Sequence, residues 1–130
     1  MVATGSVYSP KFLELGGPAA DGIYTNTTFF PSDPRPVVQR FVMGYRAMYG
    51  AEPGSYNARA YDAMVVAIAV MQQFGTDRQA IRDGLGKVRD VPSVLFGALT
   101  FDPATRRVSH PTSIDLVVKD GRFVLWQKPA

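Results

Sequence analysis

The sequence predicts an α/β protein in which helices precede a C-terminal β-hairpin. Two observations carry that prediction. Between Pro34 and Phe74, apolar residues recur at helical spacing in two successive segments. Between Thr112 and Lys128, two alternating runs flank Asp120-Gly121, a strong two-residue hairpin signal. Length and composition agree: 130 residues, 46% hydrophobic and 19% charged, suit one modest globular domain and exclude a disordered chain.

In chain order, Met1 to Thr4 is a short apolar start broken by Gly5-Ser6, which fits a strand running into a loop. Ser9-Pro10 reads as a helix N-cap and first helical position, with Phe12, Leu13 and Leu15 following and Gly16-Gly17-Pro18 ending the turn. Gly22 to Phe29 is rich in β-branched and aromatic residues and predicts a strand. Asp33-Pro34 has the form of a second N-cap. Val37, Val38, Phe41, Val42, Tyr45, Met48 and Tyr49 then trace one helical stripe, and Gly50 suits the left-handed residue that closes it.

The next helix is expected from about Asn57 to Phe74. From Ala63 to Met71 it has no polar face, so it needs cover on several sides. Thr76 to Gln79 carries a capping-box pattern, and Ile81, Leu85 and Val88 give the following helix a narrow apolar seam. A strand is expected near Ala98 to Phe101, followed by a turn at Asp102 to Thr105.

Charge narrows the function. The chain has 14 basic and 11 acidic residues and a formal charge of +3. The basic residues are scattered, with only Arg106-Arg107 adjacent, whereas a nucleic-acid surface clusters them on one face; no nucleic-acid partner is expected. The absence of cysteine excludes disulfides, thiolate nucleophiles and sulfur-ligated metals. The one histidine, His110, sits beside Pro111 and is read as a solvated loop residue; no metal and no cofactor is expected. The longest apolar run is far shorter than the roughly 20 residues of a spanning helix, and Met1 does not open a secretion signal.

The order of these elements resembles the C-terminal part of type I periplasmic solute-binding proteins, in the branch serving branched-chain amino-acid ABC transporters. Phe12 to Tyr24 looks like that family's helix, glycine turn and strand. Phe41 to Pro53 is similar to its "F…Y…YG..P" helix, and Ala60-Tyr61-Asp62-Ala63 to its "YDA" helix start. Gly97 to Asp102 and Val117 to Phe123 look like its closing "G.ltFd" and "v.dG.f" strands. The resemblance implies an incomplete type I fold, about the last third. It divides the chain into a second-lobe segment (1–30), a helical first-lobe segment (31–96) and strands returning to the second lobe (97–130). It also implies a periplasmic substrate-binding component whose partners are a small ligand, an amino acid or a related carboxylate or amide, and an ABC permease in the full-length protein. The competing expectation is an interaction module that forms a homo-oligomer through exposed helix faces.

The resemblance places ligand contacts in the loop after the first strand, at Thr4, Gly5, Ser6 and Tyr8, where hydroxyl and backbone donors suit a carboxylate. Phe30 would wall the pocket. Tyr61 would orient cleft residues, with Asp62 expected as a first-turn carboxylate favoured by the helix dipole. Branched-chain binders place an acidic residue near this loop; this chain has none between Met1 and Glu14, which argues against a simple α-amino acid. Catalysis is not expected: Ser6 has no histidine base near it in sequence, and the glycines form neither a dinucleotide nor a Walker pattern.

Overall fold

The computed structural model describes residues 1–109 and 112–127. His110, and Lys128 at the end of the expected hairpin, lie outside the described residues. The elements in chain order are α1 (Pro10–Gly16), β1 (Tyr24–Thr27), α2 (Pro36–Tyr49), α3 (Ser55–Phe74), α4 (Arg78–Leu85), β2 (Val91–Ser93), β3 (Gly97–Leu99), β4 (Ile114–Lys119) and β5 (Arg122–Leu125). The chain forms two compact units, Met1–Thr28 with Ser113–Ala130, and Phe29–Thr112.

The first unit is built on an antiparallel sheet in the order β1-β4-β5. Tyr24 pairs with Val117, and Val117 with Val124, so β4 is the central strand. Asp120 and Gly121 both have positive φ, 50° and 69°, as the two-residue turn between β4 and β5 demands. Val2 bridges Tyr24 in parallel, with Ala3 N donating to the Tyr24 carbonyl at 2.8 Å, so the expected first strand survives as a short edge ladder. Alternation sets the two faces. Leu116 and Val118 are buried, while Asp115 and Lys119 point to water. Val118, Ala20 and Ile23 form the small core, against which Ala3, Phe12, Leu13 and Phe123 pack. Ser9 caps α1 as the sequence predicts, its Oγ accepting from Phe12 N at 3.2 Å.

The second unit packs three helices with a small hairpin. One cluster joins Phe29, Val38, Phe41, Val42 and Ala58 to Val94 and Leu95. Another joins Val66 and Val70 of α3 to Val88, Val91 and Leu99. Gly50 closes α2 at φ 63°, its N–H donating to Arg46. The expected strand near residue 98 pairs Val91–Ser93 with Gly97–Leu99. Residues 97–109, grouped with the C-terminal strands on the sequence, are in this unit, because Leu99, Phe101 and Val108 pack with Val66 and Val70.

Three local expectations are corrected. Asp33 does not cap α2: the helix starts at Pro36 with Arg35 as its extended N-cap residue, because a residue preceding proline is pushed out of helical conformation. On α4, Asp77 alone is the cap, accepting from Ala80 N at 3.0 Å. Leu85 is 36% exposed and stays outside the buried cluster; Gly84 makes the close approach to α3. Along α3, which the sequence says needs cover on several sides, one line is covered. Its buried line is Ala58, Asp62, Val66 and Val70, whereas Met64 and Ile68 lie exposed.

Candidate functional site

The Thr4-to-Tyr8 loop is held by β1. Thr25, buried in the sheet, donates its hydroxyl to the Thr4 carbonyl at 2.8 Å. Residues Gly5–Val7 then make one turn of 3-10 helix. Gly5 lies so close to β1 that a Cβ there would sit 2.7 Å from the Asn26 carbonyl oxygen, so only glycine fits without a shift. The Thr4 and Ser6 hydroxyls are 2.6 Å apart and both residues are exposed. Tyr8 is half-buried, its ring edge-on to Phe123 at 4.9 Å between centroids. Thus Thr4, Gly5, Ser6 and Tyr8 come together, with two hydroxyls presented to solvent on a backbone that cannot easily move.

The other expected contacts, Phe30 and Tyr61, belong to the second unit. Phe30 is half-buried. Tyr61 is 46% exposed and lies on Phe41, ring centroids 4.8 Å apart. Phe41 in turn meets Phe29 at 5.7 Å, so Tyr61 forms the outer end of an aromatic cluster. Thr28, the last residue of the first unit before the chain crosses over, buries a hydroxyl oxygen that has no hydrogen-bond partner among the described residues.

Asp62 departs from the sequence expectation. It lies well inside α3, is only 3% exposed, and is not a first-turn carboxylate. Its Oδ2 accepts from Ser93 Oγ at 2.5 Å and Leu95 N at 3.1 Å, and its Oδ1 from Val94 N at 2.9 Å. Those three donors occupy it within the protein, which makes it an internal clamp on the β2–β3 turn rather than a ligand contact. The sequence did hold a signal. Asp62 lies four residues from Ala58 and from Val66, on the line of α3 that is buried throughout.

Asp33 and Arg35 form the other ordered polar group. Arg35 donates to Asp33 through its backbone N–H (3.0 Å) and Nε (2.9 Å). Burial alone would raise the Asp33 carboxyl, but the side-chain bond, the backbone bond and the positive charge of Arg35 together hold it below its ordinary value. Asp102, in an exposed turn, is also lowered, by bonds from the Thr105 and Ala104 backbones. A cleft of about 360 Å³ nearby is lined by Arg82 and Arg106 but also by Asp83 and Asp102, so its charges offset. Among the described residues no three of His, Cys, Asp and Glu converge on a metal position, and no helix is long and apolar enough to cross a membrane.

An α/β unit that hands its chain to a helical unit after Thr28 and takes it back at Ser113 is the arrangement of a two-lobed binding protein traversed near its end. The chain belongs to the periplasmic binding protein family, whose sequence profile matches residues 1–122. Among solved structures it is similar to a branched-chain amino acid ABC transporter protein from Rhodospirillum rubrum, with 35% identity, a TM-score of 0.77, and coverage of 96% of this chain and 36% of that one. It is similar to the leucine-binding protein LivK of Thermotoga maritima (27% identity, TM-score 0.83, 97% of this chain and 36% of that one). It is also similar to an ABC transporter substrate-binding protein of Desulfitobacterium hafniense in complex with Leu (26%, 0.76, 96% and 35%). The chain therefore spans about a third of the length of these structures. No curated protein matches it. The mixed α/β fold with small sheets is thus a partial type I periplasmic binding protein fold, as the resemblance implied.

Proposed function

We propose that this chain is part of the substrate-binding component of an ABC transporter, outside the cytoplasm, for amino acids or related small carboxylates and amides. The observation that carries this is the family profile spanning 122 residues together with 35% identity to a branched-chain amino acid transporter protein. In this reading, the unit of residues 1–28 and 113–130 belongs to the second lobe and the unit of residues 29–112 to the first, with no catalytic step. The Thr4 and Ser6 hydroxyls bond to each other, which leaves one hydroxyl proton of the pair free to donate to a carboxylate, on a loop tied to β1 by Thr25. Phe30 and Tyr61 supply apolar and aromatic surface, and a permease is the partner of the whole transport protein.

The test is a titration of the isotopically labelled chain with leucine, valine, small amides and aromatic acids, followed by amide NMR shifts. The expected result is weak binding that moves the Gly5, Ser6 and Tyr8 amides and is reduced by Thr4→Val with Ser6→Ala. Saturable binding whose shifts fall elsewhere, or tight binding unaffected by the double substitution, overturns the proposal.

A further inference from the structure

A second recess lies on the solvent-facing side of the first unit's sheet. It has a volume of about 240 Å³ and is lined by Val2, Ala3, Tyr24, Asn26, Asp115 and Trp126 among others. Strand register explains this set. Asn26 stands opposite Asp115 on β1 and β4, and Trp126 extends the ladder of β5, its N–H donating to the Asp115 carbonyl at 2.9 Å. Tyr24 is two residues from Asn26 and so shares its face. The Tyr24 and Trp126 rings stand at 85° to one another with centroids 6.0 Å apart, giving two non-parallel aromatic walls. Both remain partly exposed, at 41% and 36%. The Asp115 carboxylate is exposed and takes no hydrogen bond or ion pair among the described residues. Among the described residues, the basic residues of the same face, Lys119 and Arg122, pair with each other in register at the far end of β4, roughly 13 Å from Asp115 at strand spacing.

We infer that this recess is a binding site for a small organic cation of the alkylammonium class. Two aromatic ring faces attract a cation through their quadrupoles, and the carboxylate supplies the counter-charge. The aliphatic side chain of Val2 takes the alkyl groups, which a strongly hydrated metal ion would not use. None of Thr4, Gly5, Ser6 and Tyr8 lines the recess, although Thr25 and Asn26, which hold that loop, do.

Trp126 is the single tryptophan of the chain, so its fluorescence reports on this site directly. The experiment titrates the 130-residue chain with tetramethylammonium chloride and with choline chloride, against sodium chloride at equal ionic strength and against the neutral isostere 3,3-dimethyl-1-butanol. The expected result is saturable quenching by both cations, with a Kd on the order of 1 mM, and none by the isostere. Asp115→Asn, at an exposed position, weakens binding by about two- to fivefold. Tyr24→Leu weakens it by about the same factor, while Tyr24→Phe keeps the ring and the affinity. Far-UV circular dichroism confirms that each variant is folded. Equal binding of the neutral isostere, an unchanged affinity in Asp115→Asn, or linear quenching without saturation overturns the inference.

Discussion

Asp62 and Arg35 hold the backbone of the same two residues, Val94 and Leu95. Asp62 accepts from the N–H of Val94 and of Leu95, while Arg35 Nη2 donates to the carbonyl of Val94 at 3.2 Å and of Leu95 at 3.4 Å. The β2–β3 turn is thereby tied to α3 by an anion and to the segment before α2 by a cation. Its side chains Val94 and Leu95 fill the core between those elements, so the polar clamp and the apolar packing act on the same residues.

Removing the anion leaves buried donors unpaired. Asp62→Asn presents an NH2 group to at least one donor among Ser93 Oγ, Val94 N and Leu95 N, and is expected to destabilise the chain by about 3 kcal/mol. Arg35→Met, at a half-buried position, is expected to cost about 1 kcal/mol. Because both residues grip the backbone of Val94 and Leu95, the double variant should fall short of additivity by at least about 0.5 kcal/mol in urea melts. Strict additivity would show that the two contacts are independent.

The α3–α4 contact rests on a missing side chain. A Cβ at Gly84 would lie 2.7 Å from Phe74 Cδ2 and 2.8 Å from Val70 Cγ1. Gly84→Ala gains helix propensity of about 1 kcal/mol but forces the helices apart, at a cost of about 1–3 kcal/mol. A net loss of stability is expected. Gly86→Ala provides the contrast. Its φ of −76° suits alanine and its Cβ would meet only Asp83 O at 3.7 Å, so a gain of about 0.4–1 kcal/mol is expected. A Gly84→Ala chain as stable as its Gly86→Ala counterpart would contradict the packing described.

These particulars show where the sequence was legible. Ser9-Pro10, Gly50 and Asp120-Gly121 each act through backbone chemistry with its neighbours, so each could be placed from local residues alone. The Thr4-to-Tyr8 loop was located by resemblance, but its rigidity comes from Thr25 and Asn26, some 20 residues away, and no local pattern encodes that. Asp62 was misassigned for the same reason. Its donors lie more than 30 residues along the chain, and the buried line through Ala58, Val66 and Val70 shows its meaning only when α3 is known to start at Ser55. Gly84 was not marked because hydrophobic periodicity picks out large side chains, whereas a close helix crossing selects the absence of one.

Acid sensitivity follows from Asp33. Its folded carboxyl lies below the ordinary 3.8, so between the two values the unfolded chain binds more protons than the folded one. Stability therefore falls as pH falls. The contribution is complete above the unfolded value and is lost as pH drops below about 4 through the depressed folded value. Asp33→Asn should lower stability at pH 7 and flatten the decline between pH 5 and pH 3. Urea midpoints measured at those three pH values decide it. A decline of unchanged steepness in Asp33→Asn would remove Asp33 as its source.

The rigidity of the Thr4-to-Tyr8 loop can be separated from its hydroxyls. Gly5→Ala places a methyl group 2.7 Å from the Asn26 carbonyl oxygen and 3.0 Å from Asn26 Oδ1. The nearer atom is backbone within β1, which is held on its other side by β4, so the loop must move instead. That displacement strains the Thr25–Thr4 hydrogen bond and is expected to cost about 1–3 kcal/mol. It should also speed hydrogen exchange at the Val7 amide, which donates to the Thr4 carbonyl at 3.2 Å. Thr25→Val, which removes the donor but adds no bulk at the loop, should accelerate the same amide while leaving the backbone position of Gly5 unchanged. If Val7 exchange is unaffected in both variants, β1 does not hold the loop, and the preorganised hydroxyl pair loses its physical basis.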